Sequence, residues 1–147
     1  MTEKTPTPDE LMPIAYQFAA LRDDVREAFL FKIKQYQPVF KRVGKRFETG
    51  TLWTDTKKGK IYKYGVLIEK GLVSVDPKNI GWTIKLVTID HKDKRYVTET
   101  ASIPFADIEK IIDNLAEILA SYKNFIEGEL DRQQDDMVTL SNKIKEI

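Results

Sequence analysis

The chain has 147 residues, a length typical of one domain, and its 24 basic and 23 acidic side chains give a net charge of +1. Hydrophobic residues make up 41% of the chain, which is enough to form a packed core. The absence of cysteine excludes disulfides, thiolate metal sites and a cysteine nucleophile. Residues 1–9 are polar and predict neither a signal peptide nor a membrane anchor, so we expect a cytoplasmic location and no membrane partner.

The N-terminal quarter predicts helix. Two helical stretches are expected within residues 8–36, one starting near Asp9 and one starting near Asp23, and their join is left open. Pro38 is expected to end the second stretch. The apolar residues that recur every three or four positions are Leu11, Ile14, Phe18, Leu21 and Val25.

The middle of the chain predicts a sheet. Between residues 50 and 103 the apolar period changes to two, and β-branched and aromatic residues increase. Four or five antiparallel strands are therefore expected, and residues 90–93 form the clearest hairpin turn. The expected strands are residues 51–55, 60–69, 72–76, 82–90 and 94–103.

A long helix is predicted after Pro104. Its apolar residues keep a heptad spacing that is reset beside Gly128, and the stripe beyond this glycine is narrow and surrounded by charge. A lone helix of this kind is marginal in water, so we expect a coiled-coil homodimer, with a frayed tail or a folded-back helix as the alternatives. The expected dimerisation residues are Leu130, Met137, Leu140 and Ile144.

These elements predict an α+β fold in which an antiparallel sheet packs with N-terminal helices and precedes a long dimerisation helix. The expected division is a disordered tail over residues 1–7, a nucleic-acid-binding domain over 8–127 and a coiled-coil segment over 128–147.

The sequence contains few residues that could carry catalysis. His91 is the only histidine and falls in a predicted turn, and no Gly-rich phosphate loop or nucleophile motif occurs. Asp131, Asp135 and Asp136 indicate a solvated helix face rather than a metal site. We therefore expect no enzyme activity, no cofactor and no metal.

Residues 29–64 concentrate positive charge and aromatic rings. They carry ten basic and two acidic side chains, and eight of the fifteen aromatic residues. Unpaired bases expose a charged backbone and flat apolar faces, so a single-strand site needs cations beside rings. The alternative is that the rings belong to the core and the cations to solvated surface. The candidate nucleic-acid-binding residues are Lys41, Arg42, Lys45, Arg46, Phe47, Trp53, Lys57, Lys58, Lys60, Tyr62, Lys63 and Tyr64.

This order of parts resembles the ThermoDBP family of archaeal single-stranded-DNA-binding proteins. The resemblance covers nearly the whole chain in layout and length. It implies a cleft between sheet and helices, with Trp53, Tyr62 and Tyr64 as cleft rings and basic residues at the rim. It also implies a dimer formed by the terminal helix. A weaker likeness to PC4-like coactivators, over residues 82–122, implies the same class of ligand.

We therefore expect a non-enzymatic protein that binds single-stranded DNA with little sequence preference, with RNA as an open alternative. The rival interpretation is a protein–protein adaptor that dimerises through its coiled coil and meets an acidic protein with its basic segment.

Overall fold

The computed structural model describes residues 4–147, so the predicted tail over residues 1–7 falls partly outside the described range. The described chain is α+β, as predicted, and its order is two helices, five strands and two further helices. The helices are α1 (Pro8–Lys34), α2 (Gln37–Val43), α3 (Phe105–Asp113) and α4 (Leu115–Lys145). The strands are β1 (Phe47–Glu48), β2 (Trp53–Lys57), β3 (Lys60–Leu72), β4 (Ile80–Ile89) and β5 (Arg95–Thr98).

The predicted antiparallel sheet is confirmed. Its strand order is β1-β3-β4-β5, and β2 pairs with β3 on the same edge as β1. The central strand β3 has 13 residues and pairs with three of the other four strands. The predicted hairpin at residues 90–93 joins β4 to β5.

Two of the predicted strands were wrong in extent. Residues 73–79 form a loop instead of a strand, because the Asp76 carboxylate accepts a hydrogen bond from the Lys78 amide and turns the chain. The last strand ends at Thr98 and is followed by a 3-10 turn, Thr100–Ser102. Strand β1, which no pattern predicted, is too short to show an apolar period.

The helices also differ from the prediction. A single helix runs through Asp23, so the two predicted N-terminal stretches are one element, α1. Pro38 lies in the first turn of α2 rather than ending the helical region, because a proline in a first turn loses no helical hydrogen bond. The long C-terminal helix is interrupted at Asn114 but continuous through Gly128.

A bulge between β1 and β2 folds the chain over the central strand. Glu48 pairs with Leu67 and Trp53 with Tyr64, so two extra residues lie on the bulged side. A side chain at Gly65 would bring its Cβ within 2.7 Å of the Gly50 carbonyl oxygen. Glycine at position 65 therefore leaves room for the bulge, and the bulge sets the position of Trp53.

One face of the sheet is covered by all four helices, and we call it the helix-covered face. Its buried residues belong to β3 and β4 and pack against apolar side chains from each helix. The Phe40 ring meets the Tyr122 ring edge-on at 5.3 Å between centroids. The buried core residues are Phe29, Ile33, Phe40, Tyr64, Val66, Ile68, Ile84, Leu86, Ile103, Ile108, Ile111, Ile118 and Tyr122.

Arg26 connects α1 to the chain that leads into α3. Its guanidinium donates hydrogen bonds to the carbonyl oxygens of Ala101 and Ile103, both at 2.8 Å, and lies 4.8 Å from the Phe105 ring centroid. This contact holds the start of α3 over the sheet.

The opposite face of the sheet carries a charged network around Lys85. The Lys85 ammonium lies 2.8 Å from a Glu69 oxygen and 3.2 Å from a Glu99 oxygen, and Arg46 contacts the same Glu69 carboxylate. Burial alone would lower the pKa of Lys85, but the two carboxylates raise it above its ordinary value. The Lys85 hydrogen bond holds the pKa of Glu69 below its ordinary value. The network is therefore charged at neutral pH.

Replacing Lys85 by methionine is expected to lower the free energy of unfolding by about 3 kcal/mol, because two partly buried carboxylates lose their shared partner. Urea denaturation of Lys85→Met against Lys63→Met, a substitution at an exposed position of the same face, measures the effect. Because the pKa of Glu69 is lowered by folding, its stabilisation is present above the ordinary pKa of 4.5 and is lost as the pH falls further. Acidification should therefore cost the wild type more than Lys85→Met, and equal stability of the two variants would contradict the network's role.

Both long helices extend beyond the core. Every described residue before Arg26 and every residue from 134 onward is exposed. On α4 the exposed residues include Leu130, Met137, Leu140 and Ile144, which are 50–62% exposed. Within residues 4–147, no helix is long and apolar enough to cross a membrane.

Candidate nucleic-acid interface

Rings and lysines meet at one end of the sheet, which we call the hairpin end. It consists of the turn between β2 and β3, the turn between β4 and β5, and the strand residues beside them. Both turns lie at the same end because Lys63 of β3 pairs with Ile89 at the end of β4. Two short hairpins thus bring sequence positions 53–64 and 88–96 side by side.

Four residues form a row across the hairpin end of the helix-covered face. The strand register places Trp53, Tyr64, Thr88 and Tyr96 opposite one another on β2, β3, β4 and β5. Strand neighbours are about 4.8 Å apart, so the row is about 14 Å long. Three of its four members are aromatic.

The rings of this row are exposed to different extents. The Trp53 and Tyr64 rings stack with centroids 5.3 Å apart and planes inclined by 4°. Tyr64 is buried, Trp53 is half-buried and Tyr96 is 46% exposed. Tyr62, two positions before Tyr64 on the same face, is half-buried and lies 6.3 Å from the His91 ring. Tyr64 is therefore a support, whereas Trp53, Tyr62 and Tyr96 are accessible.

Lysine ammonium groups lie beside these rings. Lys57 Nζ is 5.8 Å from the ring centroids of both Tyr62 and Tyr64, and Lys94 Nζ is 5.4 Å from that of Tyr96. Lys58 and Lys60 are exposed in the adjoining turn. The rings and cations thus share one surface.

Asp107 in the first turn of α3 faces this surface. Its pKa is raised by burial and by the Asp55 carboxylate, although Lys57 opposes the rise. Hydrogen bonding and charge interaction with the Tyr64 side chain raise the pKa of Lys57, and Asp107 and Asp55 contribute to that rise. The Lys57 ammonium is therefore charged at neutral pH and is held over the rings.

The predicted site residues are divided among several surfaces. Trp53, Tyr62, Lys57, Lys58 and Lys60 meet at the hairpin end. Lys63 points to the opposite face, where it lines a shallow pocket with Lys60 and His91. Lys41 and Arg42 are exposed on α2, and Lys41 lines a groove at the other end of the sheet.

Four of the predicted site residues have partners within the protein: two rings pack on other side chains and two exposed cations form ion pairs. Phe47 packs on Tyr122 and Phe125, with centroids 5.5 and 5.0 Å away, and Tyr64 is 4% exposed. Lys45 forms an ion pair with Glu129 at 2.9 Å, and Arg46 contacts Glu48 and Glu69. The predicted basic residues between positions 41 and 63 therefore do not all lie on one surface.

The sequence did not identify three residues that line these surfaces: Lys94, Tyr96 and Trp82. Tyr96 and Lys94 belong to the hairpin that was predicted, and their alternation with Arg95 would have placed Tyr96 on the ring-bearing face. Trp82 was recognised as sharing a strand face with Ile84 and Leu86, but nothing local indicated a groove beside it.

No group of three or more His, Cys, Asp or Glu side chains within residues 4–147 is arranged to hold a metal ion. Comparisons with protein-family models, with curated proteins and with solved structures gave no match for this chain.

Proposed function

We propose that the protein binds single-stranded nucleic acid, single-stranded DNA above all, at the hairpin end and without catalysing a reaction. The observation that carries the proposal is that the accessible rings of Trp53, Tyr62 and Tyr96 lie at one end of the sheet with lysine ammonium groups beside them. Trp53, Tyr62 and Tyr96 offer faces for stacking, which is worth about 1–3 kcal/mol per base. Lys57 and Lys94 lie where the phosphates of a stacked strand would pass.

The ligand is single-stranded because the rings need unpaired bases. In a duplex the base faces are stacked on one another, so a protein ring reaches them only after the stack is broken. The ammonium groups contact phosphates of any sequence, and ring faces accept any base. Little sequence preference is expected from such contacts.

We also propose that two copies associate through the exposed half of α4. The apolar side chains at positions 130, 137, 140 and 144 share one face at heptad spacing and are at least half exposed. A helix extending from a domain with such a stripe gains stability by pairing. Two hairpin ends would then act on one strand and increase avidity.

A fluorescence titration tests the binding proposal. The chain has two tryptophans, so Trp82→Phe leaves Trp53 as the only tryptophan reporter. Oligothymidylate of about ten nucleotides should quench Trp53 saturably, since about 4–16 nucleotides occupy a single-strand site of this size. A duplex of the same length and at the same salt should quench it far less. Equal quenching by the duplex, or an unchanged signal, would contradict the proposal.

A second candidate function is protein binding, and one observation favours it. An apolar cleft of about 510 Å³ lies between α1 and α3, lined by Phe18, Leu21 and Val25 on one side and by Phe105 and Ile112 on the other. A cleft of this composition suits an apolar side chain of a protein partner. This adaptor function becomes the better conclusion if oligothymidylate fails to quench Trp53.

A further inference from the structure

A second groove lies at the opposite end of the helix-covered face, between the sheet and the first two helices. Its volume is about 900 Å³. We call it the Trp82 groove after the aromatic residue that lines it. The register places Lys70 of β3 directly opposite Trp82 of β4, at the far end from Tyr62.

The Trp82 groove is lined by three lysines from three elements. Lys34 comes from the last turn of α1, Lys41 from the last turn of α2, and Lys70 from β3. No carboxylate lines the groove, and none of the three lysines has an ion pair within 4.0 Å among the described residues. Like charges brought together in this way repel one another, and a polyanion that binds them relieves the repulsion.

Trp82 supplies an aromatic surface to the same groove. It is half-buried, because one part of the ring packs against the core while another lines the groove. Ile80, beside it, is 65% exposed. A tryptophan and an aliphatic side chain among three ammonium groups form an apolar floor with a cationic edge.

A separate, smaller cleft of about 240 Å³ is lined by two of the same residues, Lys34 and Gln37. It is also lined by Ser74 and Asn79, where the Asn79 side-chain amide donates a hydrogen bond to the Ser74 hydroxyl oxygen at 3.2 Å. Polar side chains therefore lie beside the cations of the Trp82 groove.

We infer that the Trp82 groove is a second binding site for single-stranded nucleic acid, in which Lys34, Lys41 and Lys70 bind phosphates and a base stacks on Trp82. The inference rests on the proposed function for the class of ligand, but on different residues. Lys70 follows Tyr64 by six positions on β3, so the two sites are about 20 Å apart along the sheet. One longer strand could therefore occupy both sites of one protomer.

The two tryptophans allow each site to be observed separately. Trp53→Phe leaves Trp82 as the only tryptophan, and Trp82→Phe leaves Trp53. Oligothymidylate of about four and about sixteen nucleotides is titrated into each variant. Trp82 should be quenched saturably, and the longer oligonucleotide should bind at least about tenfold more tightly than the shorter one because it reaches both sites.

Charge removal tests the role of the three lysines. Replacing Lys34, Lys41 and Lys70 together by glutamine in the Trp53→Phe protein should weaken binding at Trp82 at least tenfold. The same triple replacement in the Trp82→Phe protein should leave quenching of Trp53 by the short oligonucleotide within about twofold. The matched control replaces Lys110, Lys123 and Lys145, which remove equal charge from other exposed surfaces.

The outcomes separate the inference from the proposed function. Quenching of Trp53 without quenching of Trp82 overturns the second site and leaves the first. Quenching of Trp82 alone supports the groove and overturns the hairpin end, and quenching of neither overturns both. If the control triple variant loses as much affinity at Trp82, binding depends on general charge attraction, and the second site is overturned. If the variant lacking Lys34, Lys41 and Lys70 does not fold, quenching of Trp82 in the Trp53→Phe protein alone decides whether the second site exists.

Discussion

Replacing Tyr62 and Tyr96 together by alanine is expected to weaken binding of single-stranded DNA at least about 30-fold. The physical reason is the loss of two stacking faces, each worth about 1–3 kcal/mol. Both rings lie near lysine ammonium groups. Tyr96 is 46% exposed, and Tyr62 packs against the core but is only half-buried, so the double variant should still fold. Titration of a fluorescently labelled oligothymidylate measures the affinity.

The matched control for this pair is Tyr16→Ala. Tyr16 is 70% exposed on α1, far along the chain from the hairpin end, and its loss should leave the affinity unchanged. The dependence of affinity on salt should also stay the same in the double variant, because the phosphate-binding lysines remain. Unchanged affinity in the double variant would remove stacking at the hairpin end from the mechanism.

Ending the chain at Gly128 is expected to convert a dimer to a monomer. The shortened protein keeps Tyr122 and Phe125, which pack on the core, and loses the exposed apolar stripe that begins at Leu130. Sedimentation equilibrium measures the mass. Affinity for a long oligothymidylate should fall at least about tenfold, while affinity for a short one should hold, because only a long strand reaches both protomers.

A point substitution makes the same test in the full-length chain. Leu140→Lys places a charge in the apolar stripe, whereas Thr139→Lys places it on the solvent side of the same turn, where the Thr139 hydroxyl bonds only to the Asp135 carbonyl oxygen. Only Leu140→Lys should dissociate the dimer. A Gly128-truncated protein that still sediments as a dimer would place the interface elsewhere, and the apolar cleft between α1 and α3 would be the next surface to test.

Arg46 and Lys45 show why a concentration of basic residues along the chain does not predict a continuous charged surface. Arg46 reaches Glu69, 23 residues away, and Lys45 reaches Glu129, 84 residues away. Arg46 also contacts its sequence neighbour Glu48, whereas Glu69 and Glu129 belong to other elements and could not be identified as partners from the sequence. Lys57, Lys58 and Lys60 stayed together because a tight turn of a few residues determines their positions.

The aromatic rings show the same difference between what local sequence determines and what contacts between distant elements determine. Alternation along β3 correctly placed Tyr62 and Tyr64 on one face, and the register with β2 stacked Trp53 on Tyr64. Which ring is accessible depends on where the helices end above the sheet. Phe47 packs on Tyr122 and Phe125 of α4 and Tyr64 is buried in the core, while Tyr62 is half-buried and Tyr96 is 46% exposed.

The sequence by itself determined the class of fold, the hairpin at residues 90–93, the continuous helix beyond Gly128 and the apolar stripe on it, since each follows from local periodicity and turn chemistry. Only the tertiary structure decided that the chain between β1 and β2 bulges over Gly65, that Lys85 is held between two carboxylates, and that Trp82 and three lysines from different elements line one groove. These features depend on contacts between residues far apart in the chain. Local sequence patterns carry no information about which distant residues come into contact.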